Sequence, residues 1–139
     1  MKTLLVTGAS RGVGFEISKQ AAADGHQVIA LSRNIKPLDG IKNIHPFAVD
    51  LSIESEVIDF ANTIQTTFDE VDVLINNAGR LIHKPFLEIS SSEFAEVYKV
   101  NVFAVATLTR LILPLMNDKG HVLNISSMGG VQGSAKFKG

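Results

Sequence analysis

Residues 7 to 14 read T-G-A-S-R-G-V-G and join an apolar run to a helical pattern, with glycines at Gly8, Gly12 and Gly14. Glycines let a backbone turn sharply and come close to an anion. The start of a helix adds free N–H groups and the positive end of its dipole. The chemistry that fits is the gripping of a phosphate or pyrophosphate by main-chain amides along Gly8, Ser10, Arg11, Gly12, Val13 and Gly14. The loop lacks the Gly-Lys-Ser/Thr ending of a nucleoside-triphosphate site, and its spacing is not the common G-x-G-x-x-G. Gly8-Ala9-Ser10-Arg11-Gly12 also satisfies G-x-S-x-G, the nucleophile elbow of serine hydrolases. That alternative needs an oxyanion-hole loop from an earlier strand, and none stands ahead of this run. His121 falls at the start of its own run, the wrong end for a partner.

Two further groups could do chemistry. Asn101 interrupts the apolar stripe between Val97 and Val105, so its amide is expected to be buried. A buried amide must be bonded to something specific, because leaving it unpaired is costly. A helix kink with a bound water is the plain alternative. Ser126 and Ser127 close the apolar run "HVLNIS", where a hydroxyl could donate to a developing oxyanion.

Short apolar runs alternate with helical patterns: "TLLVT", "QVIALS", "HPFAVD", "VDVLIN" and "HVLNIS". That alternation predicts an α/β fold, a doubly wound parallel sheet of five strands with crossover helices. Val13, Ile17 and Ala21 mark a first helix, ended at Asp24-Gly25. Val57, Phe60, Ile64 and Phe68 mark another, with Ser52 as its N-cap. Ser90-Ser91-Ser92-Glu93 reads as a capping box before the stripe Phe94, Val97, Val105, Leu108, Ile112, Leu115. The segment "RNIKPLDGIKN" holds at most one helical turn. Every strand ends on a small polar residue (Thr7, Ser32, Asp50, Asn76, Ser126), and in open parallel sheets ligands bind outside the carboxyl ends of the strands.

The 139 residues suit one domain, with 45% hydrophobic and 19% charged residues. A net charge of −1 supplies no basic footprint for nucleic acid or an anionic membrane. No cysteine is present, which fits a reducing, cytoplasmic setting. The apolar stretch "VFAVATLTRLILPLM" is broken by Arg110 and two threonines, so it is not expected to span a membrane.

With Thr7–Gly14, Asp50-Leu51, Asn76-Asn77-Ala78-Gly79, Asn101 and Ser126-Ser127 in order and register, the sequence resembles the short-chain dehydrogenase/reductase family from residue 1 to about residue 133. The resemblance implies a Rossmann-type sheet in the order 3-2-1-4-5 and a nicotinamide dinucleotide. It also implies a small-molecule carbonyl or alcohol substrate. Asp50 and Leu51 would meet the adenine, and Asn77, Ala78 and Gly79 would line the adenosine side. Ser127 would bind the substrate carbonyl, and Asn101 would help hold a proton-relaying water chain. A preference for NAD calls for an acidic residue roughly 20 positions past the glycines, but the second run ends in "ALSRN" and no carboxylate follows it until Asp39. Arg33 and Arg11 stand there instead and suit a 2′-phosphate, so NADP is expected, NAD less so.

The family's Tyr-x-x-x-Lys does not follow Ser127. Tyr98 is the only tyrosine, and Lys136 and Lys138 follow none. The expectation is therefore the first half or so of a longer reductase, homo-oligomeric in full length as a dimer or tetramer. The resemblance implies pairing through the long helix that carries Asn101 together with the helix that would follow it. A non-catalytic dinucleotide-binding module or sensor ending at Gly139 is the alternative. The remaining substrate contacts would come from "RLIHKPFLEI" and "MGGVQGSAKF".

Overall fold

The computed structural model describes residues 1–132; Lys136, Lys138 and the end of "MGGVQGSAKF" lie outside the described residues. Five strands, β1 (Thr3–Thr7), β2 (Gln27–Ser32), β3 (Ile44–Ala48), β4 (Val71–Asn76) and β5 (Met116–Asn124), form a parallel sheet in the order β3-β2-β1-β4-β5. This is the doubly wound order, with its switch point between β1 and β4. Pro46 is accommodated because β3 is an edge strand, where a missing N–H costs no ladder bond on the open side.

Side chains alternate across the sheet, and each face has its own core. Leu5, Ile29, Leu31 and Leu74 pack with Val57, Phe60 and Ile64 of α2 (Glu54–Thr67) and with Leu108 and Ile112 of α4 (Ala104–Ile112). Val6, Val28, Ala30 and Ile75 face Ala21 and Ala22 of α1 (Gly12–Ala23). The stripe expected on α1 is shifted. Val13 is 61% exposed, and the sheet side is taken by Gly14, Ser18, Ala21 and Ala22. A Cβ on Gly14 would run into the Gly8 carbonyl and the Asn77 amide, so this helix lies too close to β1 for a large side chain.

Between β2 and β3 there is one short 3-10 turn, Lys36–Leu38, as the composition suggested. Ser52 does not cap α2. Its hydroxyl and N–H both donate to Asp50 Oδ1, and Ile53 is the N-cap. The capping box is present: Ser90 Oγ accepts from Glu93 N, and Glu93 accepts from Ser90 N at the start of α3 (Ser91–Tyr98). From α3 the helix widens into a π turn at Lys99–Phe103 and continues as α4. The run Ser91–Leu115 is 25 residues long and apolar enough, by length and composition, to cross a bilayer; its buried Ala104, Leu108 and Ile112 face the sheet. β5 begins and ends earlier than "HVLNIS". Met116 pairs with Val71 and His121 with Val73, so residues 117–120 bulge out of register. β3 likewise stops at Ala48, two residues before Asp50. Its last two positions close a loop, with Val49 N donating to Ser32 O and Asp50 N donating to Glu56 Oε2.

Candidate functional site

At the carboxyl rim of the sheet a cavity of about 690 Å³ opens over the switch point between β1 and β4. It is lined by Gly8, Ser10, Arg11, Gly12, Arg33, Asp50, Leu51, Asn77, Ala78 and Gly79, all expected from the sequence. Ser32, expected at the rim as a polar strand end, and Arg80 and Leu81, expected within "RLIHKPFLEI" on the substrate side, join them, as do Leu31, Val49 and Val100, which were not foreseen. Periodicity could not have found Leu31, Val49 and Val100, since the end of β2, the loop after β3 and the π turn lie far apart in the chain and meet only in the fold. Val13 and Gly14 do not line it: Val13 points outward, and Gly14 is buried against β1.

The floor is built by hydrogen bonds that cross from strand to strand. Thr7, buried at the end of β1, accepts through Oγ1 from Asn77 N at 3.0 Å and Ala78 N at 2.9 Å. Asn77 Nδ2 donates back to Thr7 O and Gly8 O, which fastens the loop after β4 to the glycine turn. Asn76 does the same work one strand over, donating to Asn124 Oδ1 and Thr109 Oγ1. Ser32 Oγ donates to Ser10 Oγ at 2.6 Å and ties the end of β2 to the same turn.

The N-terminus of α1 points into this rim. Its N-cap is Arg11, no side chain caps it, and the first turn carries no acidic residue. The first N–H groups of a 12-residue helix therefore remain to be satisfied by something else. Gly12 sits at φ 58° with nothing within 4 Å of where a Cβ would be, so the backbone is open to close approach. This donor set fits a diphosphate. Arg33 is exposed, and neither a hydrogen bond nor an ion pair joins its side chain to another described residue. Asp50 is held below the usual carboxylate range, chiefly by the hydroxyl and N–H of Ser52, with Arg33 and Arg80 adding to the effect. Only its Oδ1 is occupied by Ser52.

A second cavity, about 870 Å³, meets the first along Asn77, Ala78 and Gly79 and contains both Asn101 and Ser127. Asn101 is exposed rather than buried, because the stripe it interrupts turns toward the cleft at the π turn. Both polar atoms of its amide are nonetheless bonded. Arg80 N donates to Oδ1 at 2.8 Å, and Nδ2 donates to Arg80 O at 2.9 Å. The irregular turn around Asn101 is the local kink allowed for above. Ser127 Oγ accepts from Gly129 N at 3.1 Å, which leaves its hydroxyl proton to donate into the cavity.

A family model described as short chain dehydrogenase matches residues 2–139. The chain is 34% identical over 146 residues to the ketoacyl reductase HetN of Nostoc sp., covering 96% of this chain and 50% of that protein. A solved short-chain dehydrogenase from Streptomyces avermitilis matches with a TM-score of 0.90 at 36% identity, over 98% of this chain and 53% of that one. A metagenomic short-chain oxidoreductase solved in complex with NADP matches with a TM-score of 0.89 at 29% identity, over 99% and 66% of the two chains. The chain spans about half the length of the curated relatives it matches. With the crevice at the switch point and a family match reaching from residue 2 to residue 139, this chain belongs to the short-chain dehydrogenase family.

Proposed function

We propose that the protein is an NADP-dependent oxidoreductase acting between a nicotinamide and a small-molecule carbonyl or alcohol. The observation that carries this reading is the uncapped N-terminus of α1, aimed with the open Gly12 turn into a crevice at the β1/β4 switch point. Main-chain N–H groups from Gly12 onward would hold the pyrophosphate. Ser10, Arg11 and Arg33 would take the 2′-phosphate, and Asp50 the adenine amine. The relative solved with NADP supports that choice of dinucleotide.

When bound, the nicotinamide supplies or accepts the hydride. Ser127 then acts on the substrate side. Negative charge grows on a carbonyl oxygen as its carbon is reduced, and a hydroxyl already aimed at that oxygen stabilises the charge without reorganising. Asn101 contributes by position: with both amide atoms committed to Arg80, it fixes the loop that separates the two cavities. The proton donor that the family resemblance calls for is absent from these 139 residues, so turnover is proposed of a protein that carries Tyr-x-x-x-Lys. Self-association has a surface to use, since Tyr98, Val102, Phe103 and Leu113 are 52%, 45%, 58% and 51% exposed along one helical run.

The test is a fluorescence titration of the purified protein with NADPH and NADH. Saturable binding of both, tighter for NADPH, is expected. Binding of neither would overturn the reading.

A further inference from the structure

Arg80 is a residue whose surroundings the hydride chemistry does not use. It stands on the loop after β4 and lines the same cavity as Arg33, Asp50, Leu51 and Val100. Its base is immobilised, because Asn101 clamps both its N–H and its C=O. Its tip is only loosely held. Nη1 lies 3.5 Å from Glu96 Oε2, with the Arg80 side chain 44% exposed, while the other Glu96 oxygen accepts from Lys99 Nζ at 2.7 Å. The charge of Arg80 also reaches the Asp50 carboxylate, behind the larger effects of Ser52 and Arg33.

We infer that Arg80 is a recognition residue for the adenine ring, laying its guanidinium over the exposed face of a base seated on Leu51 and Val100. This rests on the dinucleotide reading above and adds a residue to it. Leu51 and Val100 supply apolar surface for a flat ring, and one Asp50 oxygen stays available for an exocyclic amine. A guanidinium plane fixed at its base then covers the remaining face by stacking and cation–π attraction. Because that contact is with the base, its contribution is the same for NADP, NAD and adenosine. It differs in this from Arg33, which is placed to read the 2′ position.

The test is calorimetric titration of the wild-type protein and Arg80→Met with NADP, NAD, 5′-AMP and adenosine. Methionine keeps the stem and leaves the main-chain clamp by Asn101 in place, and the melting temperature of the variant checks that the loop is undisturbed. All four ligands should weaken by a similar factor, about three- to fivefold. Unchanged affinities overturn the inference. So does a loss confined to the phosphate-bearing ligands, which would make Arg80 a charge contact. A variant that melts well below wild type is replaced by Arg80→Gln, read by the same criteria. If the wild-type protein binds none of the four, the dinucleotide reading itself fails; if it binds them and Arg80→Met binds equally well, only the role of Arg80 fails.

Discussion

Replacing Arg33 by alanine isolates what one guanidinium contributes to cofactor choice. Arg33 follows β2, is exposed, and has no side-chain hydrogen bond or ion pair among the described residues. Engaging a 2′-phosphate therefore breaks nothing inside the protein. Its loss removes only a secondary influence on Asp50, whose carboxylate is held down first by Ser52. A hydrogen bond to a charged group contributes about 1.5–3 kcal/mol, and the open rim, where solvent screens the charge, places Arg33 in the lower part of that range. About 1.5–2 kcal/mol corresponds to NADP binding weakened about 10- to 30-fold. NAD carries a hydroxyl at that position and should change by less than about threefold, the scatter of an ordinary surface substitution. Calorimetric titration of both proteins with NADP and NAD measures the two ratios directly. Repeating it at higher salt should shrink the NADP gap, since the contact is electrostatic. Equal loss for the two dinucleotides, or no loss for either, would refute the assignment of Arg33 to the 2′-phosphate.

Gly14→Ala should destabilise the fold although alanine is the better helix former. The added methyl meets the Gly8 carbonyl and the Asn77 amide, and the Asn77 amide is already bonded to Thr7 O and Gly8 O, so neither can swing aside. Overpacking of about 1–3 kcal/mol outweighs the roughly 0.5–1 kcal/mol that alanine gains in a helix, leaving a net loss of about 1–2 kcal/mol in urea unfolding. A more stable variant would show that α1 lies farther from β1 than described. Glu93 is drawn down to about 2, first by the hydrogen bond from Lys84 and then by the N–H of Ser90. Its help to the start of α3 is complete above the ordinary carboxyl value of 4.5 and fades as the pH falls through about 2. Carboxyl NMR should show that midpoint, and Lys84→Met should raise it; an unmoved midpoint in the variant would remove Lys84 as the main cause.

The three inner strands β1, β2 and β4 were legible because buried parallel strands must be apolar on both faces, whereas β3 and β5, at the edges, overlap their apolar runs but begin and end elsewhere. The glycine turn was legible for a related reason: few backbones other than Gly8 and Gly12, at φ 66° and 58°, can make it. What could not be read were distances between segments. Apolar periodicity put Val13 on the buried side of α1, yet the helix sits so close to β1 that glycine, serine and alanine fill that side. Ser52 has the right chemistry for a cap, but it stands one residue ahead of the N-cap, Ile53, and its hydroxyl goes to Asp50.

Asn101 shows the limit most clearly. Its polarity on an apolar stripe signalled that something specific must bond it, while the partner is the main chain of Arg80, 21 positions earlier. No side-chain pattern encodes a partner of that kind, because every residue offers the same N–H and C=O. The consequence runs in both directions. The Asn101 amide carries a donor and an acceptor side by side and so meets the N–H and C=O of Arg80 together. The side chain of Arg80 takes no part in that clamp and lies 3.5 Å from Glu96. A polar residue that breaks an apolar stripe can thus have its partner in a main-chain segment that only the fold brings near.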